Sequence, residues 1–355
     1  QEVAIFTGQS DKNSLSAQDN NILKDVYKNN IKVQLIPALV DRISPVHDIL
    51  ALYNIIIMLK KYRPSVVHVH SSKAGILARL ACKIINIKNV IYHVHGWSFS
   101  KSNGLYPLIY LWLEKLFYNI TTKYIFVCKQ DIIDFINLGG NKGILSKSHI
   151  IYPGAVFLKP QLQKEFRSTL RYELGYKDDD NVIGSVGRLD FQKNPKIFVK
   201  IANEYSKVDS KAKFLWIGKG AYKKKMKKYI DELGLSDRFI LTGYIEDVEP
   251  YFSVFDTFII TSRYEGLPIT IFKALSCEVP VVAFCINGIN DLSKKFKSVY
   301  GVEPYDVGDF SKKLLAARNI RKSNYGILKK ETKYIRENYN LNRMYDYILD
   351  VYDSF

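Results

Sequence analysis

Cysteine is scarce in this chain of 355 residues: only Cys82, Cys128, Cys277 and Cys285 are present. All four sit in apolar stretches without metal-ligand spacing. This argues against a disulfide scaffold and a cysteine-ligated zinc site, and for buried thiols in a reducing compartment. Long apolar runs are lacking too. A bilayer span needs roughly 18 to 20 such residues. The longest candidate, Ile49 to Leu59, contains Tyr53 and Asn54 and ends in Lys60-Lys61. It reads as a buried or interfacial helix. The chain opens with Gln-Glu and runs straight into a strand, with no signal peptide. A cytoplasmic protein, soluble or at most peripheral, is expected. No G-x-G-x-x-G follows any strand, which argues against an NAD-dependent oxidoreductase. No repeat or low-complexity tract interrupts the chain.

Negative charge is also short. There are 35 Asp and Glu against 52 Lys and Arg, a net charge of +17, of which roughly +10 falls before residue 159. Such an excess serves nucleic acid, anionic lipid or phosphorylated substrates. The run Lys223-Lys224-Lys225-Met226-Lys227-Lys228 has no interleaved aromatics on which bases would stack, so it reads as an exposed helix face and nucleic acid is not expected as a partner. Each cation close to an anionic leaflet adds about 1 kcal/mol. Reversible peripheral contact with an anionic membrane, at its inner face, is therefore expected.

What is present is a regular alternation of β-branched runs with amphipathic helical stretches, which specifies α/β architecture with parallel sheets. Val3 to Thr7, Lys32 to Ile36, Val66 to His70, Val90 to His93 and Tyr124 to Cys128 read as strands of a first domain. Helices are expected over Val46 to Lys61 and Lys73 to Ile85. A second cycle reads Asn181 to Ser185, Lys213 to Ile217, Phe239 to Thr242, Thr257 to Thr261 and Val279 to Phe284. The domains are expected at 1–158 and 159–335, with a helical 336–355 returning to the first. Ligands of such sheets bind beyond the carboxyl ends of the strands, so the loops after the strands are where chemistry is sought.

Two of these loops stand out. In Gly184-Ser-Val-Gly187-Arg188-Leu-Asp-Phe-Gln-Lys193-Asn-Pro195 a strand ends at Gly187, two cations follow, and Pro195 opens a helix. Cations, free N–H groups and a helix dipole together suit a diphosphate. In Thr261-Ser-Arg-Tyr-Glu265-Gly266-Leu267-Pro268 a carboxylate and backbone donors precede another helix. They suit sugar hydroxyls and a phosphate oxygen, although an ordinary capped helix start reads the same way.

In this order and spacing, with Ile217-Gly-Lys-Gly220, Leu241-Thr-Gly243-Tyr244, Phe255-Asp256 and Val279-Pro-Val-Val-Ala283, the loops resemble those of the family 4 retaining glycosyltransferases, which have the GT-B fold of two Rossmann-like domains facing across a cleft. The resemblance runs over most of the chain. It implies an enzyme that moves a sugar from a nucleotide diphospho-sugar, UDP-linked as a first guess, to a lipid-linked or saccharide acceptor in cell-surface polysaccharide synthesis, with no cofactor. It also implies that Arg188 and Lys193 hold the diphosphate, Gly187 beside them, and that Glu265 faces the sugar with Gly266 and Leu267. Gly243 and Tyr244 would lie near the base.

The first half adds His68-Val-His70-Ser71-Ser72-Lys73-Ala-Gly75 and His93-Val-His95-Gly96-Trp97. Strand alternation puts His68 with His70, and His93 with His95, on one face. Carboxylate and cysteine partners are missing, so no metal site is expected. Resemblance to transferases of bacterial capsule, exopolysaccharide and lipopolysaccharide assembly makes His95 the histidine near the sugar or phosphate. His70, Ser72 and Lys73 become acceptor-side or phosphate contacts, while His68 and His93 read as satisfied structural histidines. Asp178-Asp179-Asp180 reads as a solvated turn.

Two departures follow from the same resemblance. The family's second glutamate, eight positions after Glu265, is Lys273 here. Lys273 would swing toward the diphosphate, weaken nucleotide binding or abolish catalysis. Relatives also place a strand, a Gly-rich loop and a helix before the strand matching Val3 to Thr7. A first domain lacking its usual first strand and helix, or a fragment, is expected. A scaffold protein of the same fold and a nucleotide-sugar epimerase are the alternative readings.

Overall fold

The apolar runs become parallel strands because each is too short for a helix and is bounded by polar turns. A computed structural model of the chain describes residues 2–8, 31–40, 42–100 and 105–355. The chain divides into one unit of Gln1–Ile150 with Asp350–Phe355 and a second of Ile151–Leu349.

In the first unit β1 (Ala4–Gly8) pairs with β2 (Lys32–Ile36), and β3 (Val67–His70), β4 (Val90–Val94), β5 (Lys123–Phe126) and β6 (Ser148–Ile150) form a four-stranded sheet in sequential order. Every one of these pairs is parallel. Helices α1 (Pro45–Tyr62), α2 (Ser72–Ile84), α3 (Leu105–Phe117), α4 (Lys129–Asn137) and α5 (Ile144–Lys147) provide crossovers. β4 is buried along its whole length, hence its unbroken apolar character. The two sheets share one core that includes Ile36, Ile55, Val69, Tyr92, Trp97 and Phe135.

The helix expected over Val46 to Lys61 is α1, and only one stripe of it is buried, through Ala51, Ile55 and Leu59. Ile49, Leu50 and Tyr53 face solvent. So do Leu108, Trp112 and Leu116 of α3. Both helices pack on α2.

A buried ion pair ties α2 to α3. Arg79 donates from both terminal nitrogens to Glu114, each at 2.8 Å, and from Nε to the Gly75 carbonyl at 3.0 Å. Its guanidinium also lies over the Tyr92 ring at 4.1 Å. The planar fork satisfies both carboxylate oxygens, and burial is tolerable only with such complete pairing.

The second unit begins with α6 (Pro160–Glu173) and holds a six-stranded parallel sheet of order β12-β11-β10-β7-β8-β9. Its elements are β7 (Asn181–Val186), α7 (Pro195–Ser206), β8 (Ala212–Ile217), α8 (Lys223–Glu232), β9 (Phe239–Gly243), β10 (Thr257–Ile260), α9 (Ile269–Ser276), β11 (Val281–Phe284), α10 (Asn287–Lys295), β12 (Val299–Val302), α11 (Val307–Ser323), α12 (Tyr325–Asn338) and the start of α13 (Leu341–Asp353), whose last residues from Asp350 belong to the first unit. Its core centres on Phe198, Phe214, Trp216, Val282 and Phe310. Asp256 locks β7 beside β10: it accepts from the Val182 N–H at 2.8 Å and from Arg167 and Arg171. Gly184 permits this approach, because a Cβ there would meet the Phe255 ring at 1.9 Å.

β12 escaped the sequence reading: it is four residues long with Gly301 inside it, and its register is set by β11. Asp178 and Asp179 are exposed as expected, whereas Asp180 is buried and its carboxylate accepts from the Lys177 N–H. None of the four cysteines is in a disulfide; Cys82, Cys128 and Cys277 are buried and Cys285 is partly so.

Truncating Arg79 strands Glu114 as an unpaired buried carboxylate. Arg79→Ala is expected to lower the stability of the first unit by about 3 to 5 kcal/mol, read from urea unfolding. A loss below about 1 kcal/mol would show that the pair is solvated.

Candidate functional site

In the second sheet the winding direction reverses between β10 and β7: β8 and β9 extend from β7 on one side, β10 to β12 on the other. The loops leaving the carboxyl ends of β7 and β10 therefore diverge, which is where open α/β sheets bind ligands. They carry residues 187–194 and 261–268.

These two loops are bound to each other. Lys193 Nζ meets Glu265 Oε1 at 2.5 Å. Gln192 donates to the Tyr264 carbonyl at 3.1 Å and to Glu265 Oε2 at 3.4 Å, while the Arg263 N–H donates to the Gln192 carbonyl at 2.8 Å. Thr261 Oγ1 donates to the Lys193 carbonyl at 3.2 Å. Arg188 is 68% exposed, restrained by Asp190 at 2.9 Å and Gln192 at 3.0 Å. Gly187 leaves room for the Lys193 stem, 3.3 Å from where a Cβ would stand. Pro195 heads α7 and Pro268 precedes α9, so two helix N-termini lie at the same edge. Gly266 is partly buried, its carbonyl accepting from the Gly288 N–H at 3.3 Å, and Leu267 is buried.

The neighbouring loops close on this edge. The Gly218 N–H donates to the Gly243 carbonyl at 2.8 Å and the Leu189 N–H to the Lys219 carbonyl at 3.0 Å. Gly218 has φ +144°, and a Cβ would sit 2.0 Å from the Gly187 carbonyl oxygen. Tyr244 is half exposed, with Lys219 Nζ 4.7 Å from its ring centroid.

Lys273 is ion-paired with Glu249, on the turn after β9. Burial opposes ionisation of Glu249, but the hydrogen bond and charge of Lys273 outweigh it and hold the carboxyl below its ordinary value. The charge reversal at position 273 thus carries its own compensation. Glu249 lies 24 residues before Lys273 and belongs to no local motif, so sequence reasoning missed it.

In the first unit the carboxyl edge of β3 and β4 gathers four histidines. His68 and His70 stack with centroids 4.5 Å apart, His93 and His95 at 4.2 Å, and the two pairs lie against each other. His70 Nδ1 and His95 Nε2 are hydrogen-bonded at 3.0 Å. Ser72 Oγ is hydrogen-bonded to Ser98 Oγ. Lys73, by contrast, is committed to the Asp48 carboxylate and to the carbonyls of Val40 and Arg42. It fastens the segment before α1 to α2. Trp97, after His95, donates to the Asp131 carbonyl at 2.7 Å and anchors that loop.

Two sequence expectations change here. His68 and His93 are not fully satisfied: His68 Nε2 and His93 Nδ1 are buried without a partner among the described residues. Only His68 Nδ1 has one, the Tyr352 hydroxyl at 2.6 Å, from the last helix 284 residues away. The expectation of no metal site rests on missing carboxylate and cysteine partners, and the close approach of the rings reopens it. His68, His70 and His93 each bring one ring nitrogen within 4.8 Å of the others.

With this geometry in view, the relatives are informative. The fold is GT-B. The solved structure of Anabaena Alr3699/HepE in complex with UDP-glucose matches over the whole of both chains with a TM-score of 0.80, at 16% identity. The model described as Glycosyltransferase Family 4 matches residues 1–155, and that of Glycosyl transferases group 1 matches residues 166–340. The chain belongs to family 4 of the glycosyltransferases, and its relatives include bacterial enzymes of polysaccharide synthesis. It is similar to the UDP-Gal:alpha-D-GlcNAc-diphosphoundecaprenol alpha-1,3-galactosyltransferase of Escherichia coli, 27% identical over 99% of this chain and 91% of the relative. The putative glycosyltransferase EpsD of Bacillus subtilis is 24% identical over 72% of this chain and 68% of its own length.

Burial, with the neighbouring imidazoles adding to it, pushes His68 down to about 3 and His93 down to about 2. An unfolded histidine titrates near about 6.5. Below that the unfolded chain binds more protons than the fold, so the stability contributed by these neutral rings is complete above about 6.5 and is lost as the pH falls. Amide protection in β3 and β4, taken relative to the intrinsic exchange rate at each pH, should fall between about pH 7 and about pH 5, and His93→Gln should flatten that dependence. An identical pH dependence in the variant would show that the cluster does not control it.

Proposed function

We propose that this glycosyltransferase moves a hexosyl group from a UDP-sugar to a lipid-linked saccharide, with retention, at an anionic membrane face. The observation that carries the reading is the Lys193–Glu265 pair beside Arg188 at the reversal point of the second sheet. Arg188 and Lys193 stabilise the charge that grows on the departing diphosphate, the stage at which preorganised cations contribute most. Binding of the diphosphate loosens Lys193 from Glu265, and the released carboxylate orients sugar hydroxyls. Gly187, Gly266 and Leu267 offer backbone approach; Gly243 and Tyr244 serve the base. From the first unit we assign His95 to the transferred sugar and His70 and Ser72 to the acceptor. Lys73 positions the start of α2 that carries Ser72. No metal step is invoked.

The donor assignment draws on the UDP-glucose held by the Anabaena structure and the acceptor on the diphosphoundecaprenol substrate named for the E. coli relative. Membrane contact draws on the exposed apolar residues of α1 and α3, flanked by Lys60, Lys61 and Lys115. No helix among the described residues is long and apolar enough to cross a membrane. Such a face fits lying on an anionic leaflet.

The test is a transfer assay with UDP-hexoses and a diphosphopolyprenyl saccharide in vesicles containing anionic lipid. Arg188→Ala should lower kcat/KM at least about tenfold, and product analysis should show the anomeric configuration of the donor preserved. Unchanged turnover in Arg188→Ala would remove the diphosphate assignment. Conversion of the donor without acceptor would favour an epimerase, and an untouched donor a scaffold.

A further inference from the structure

Six histidines occur in the chain, and His68, His70, His93 and His95 lie together at one edge of the first sheet. We propose that His68, His70 and His93 form a site for a divalent transition metal of the zinc class, with the fourth position open to water. The proposal concerns the first unit alone and does not rest on the transferase reading.

The donor set selects the ion. Three imidazoles without a carboxylate suit Zn2+, Ni2+ or Cu2+ and exclude the oxygen-seeking Mg2+ and Ca2+. Three protein ligands with a fourth position for water is a common zinc arrangement.

The hydrogen bonds already present are those metal-binding histidines make. A ligating imidazole uses one ring nitrogen and gives the other N–H to an oxygen or another acceptor, which fixes its tautomer. His68 meets the Tyr352 hydroxyl through Nδ1, leaving Nε2 buried and unpartnered. His70 meets His95 Nε2 through Nδ1, leaving its own Nε2 for a metal. His93 Nδ1 is buried and has no partner among the described residues. Leaving a buried ring nitrogen without a partner is costly, and a shared ion would satisfy the two at His68 and His93 at once.

At Zn–N distances of about 2.0 to 2.1 Å and tetrahedral angles, ligand nitrogens lie about 3.3 Å apart. One ring nitrogen of each of His68, His70 and His93 lies within 4.8 Å of the others. Binding would require the stacked rings to turn about their Cβ–Cγ bonds so that these nitrogens converge. A filled site would pin the ends of β3 and β4 together and, through His68 Nδ1, hold Tyr352 against them.

The probe is Co2+, titrated into the full chain after dialysis against a chelator. The expected result is one equivalent bound with the visible bands of a four-coordinate nitrogen–oxygen site, displaced by Zn2+. His68→Gln and His93→Gln should each weaken binding at least tenfold. Tyr352→Phe keeps the ring and removes the hydroxyl, and should weaken it about tenfold. His149→Gln, outside the cluster, should leave it unchanged. Zn2+ should raise amide protection in β3, β4 and residues 350–355, a readout that needs no activity. Absence of the bands in the parent overturns the proposal. So do bands that persist in both His68→Gln and His93→Gln, or a sulfur-to-cobalt charge-transfer band placing the ion on cysteine.

Discussion

The contact between Lys193 and Glu265 joins the loops that leave the two strands between which the second sheet reverses its winding. Much of the candidate donor site depends on it. Gln192 bridges from Arg188 to Glu265 and Tyr264, Thr261 holds the Lys193 carbonyl, and Gly187 makes room for the lysine stem. Beneath these, Asp256 fixes β7 against β10, so the loops start from a rigid base. A site assembled this way spends little conformational entropy when a ligand arrives.

Charge balance is the second constraint. Every cation assigned to the donor already has an acidic partner: Arg188 has Asp190, Lys193 has Glu265 and Lys273 has Glu249. Without such partners these cations would repel one another. In the mechanism proposed above a diphosphate exchanges partners with them, and Glu265 is freed for a sugar as Lys193 turns to phosphate. Lys273 fits this scheme because Glu249 answers it. The first unit relies on the same physics differently: Arg79 and Glu114 are tolerated in the core through complete pairing, whereas burial, with the neighbouring imidazoles adding to it, disfavours the charged form of the histidines.

Much of this was legible in the sequence because it is local. Strand runs such as Lys213 to Ile217 and Thr257 to Thr261 carry unbroken apolar centres, Phe214 to Ile217 and Phe258 to Ile260, and the two site loops declare themselves by glycine, cations and proline at fixed offsets. Alternation alone put His68 with His70 and His93 with His95. What escaped depends on partners brought together by the fold. Glu249 opposite Lys273, Tyr352 against His68 and Asp48 on Lys73 have no spacing rule that reveals them. Lys73 accordingly read as a phosphate contact when the structure shows it fastening α2. The histidines read as a poor metal set for want of carboxylates, since sequence cannot show that strands β3 and β4 are adjacent and in register at His70 and His93.

The measurement that bears most directly on the donor site is a calorimetric titration of UDP, without added metal, into the parent chain, Lys193→Ala and Lys273→Glu. The account predicts saturable binding to one site in the parent and affinity at least about tenfold weaker, or about 1.4 kcal/mol, in Lys193→Ala. It predicts no gain in Lys273→Glu, where a new carboxylate would face Glu249. A parent that binds no UDP while Lys273→Glu binds it well would contradict the account, because Lys273 would then have disabled the site that Glu249 is held to preserve.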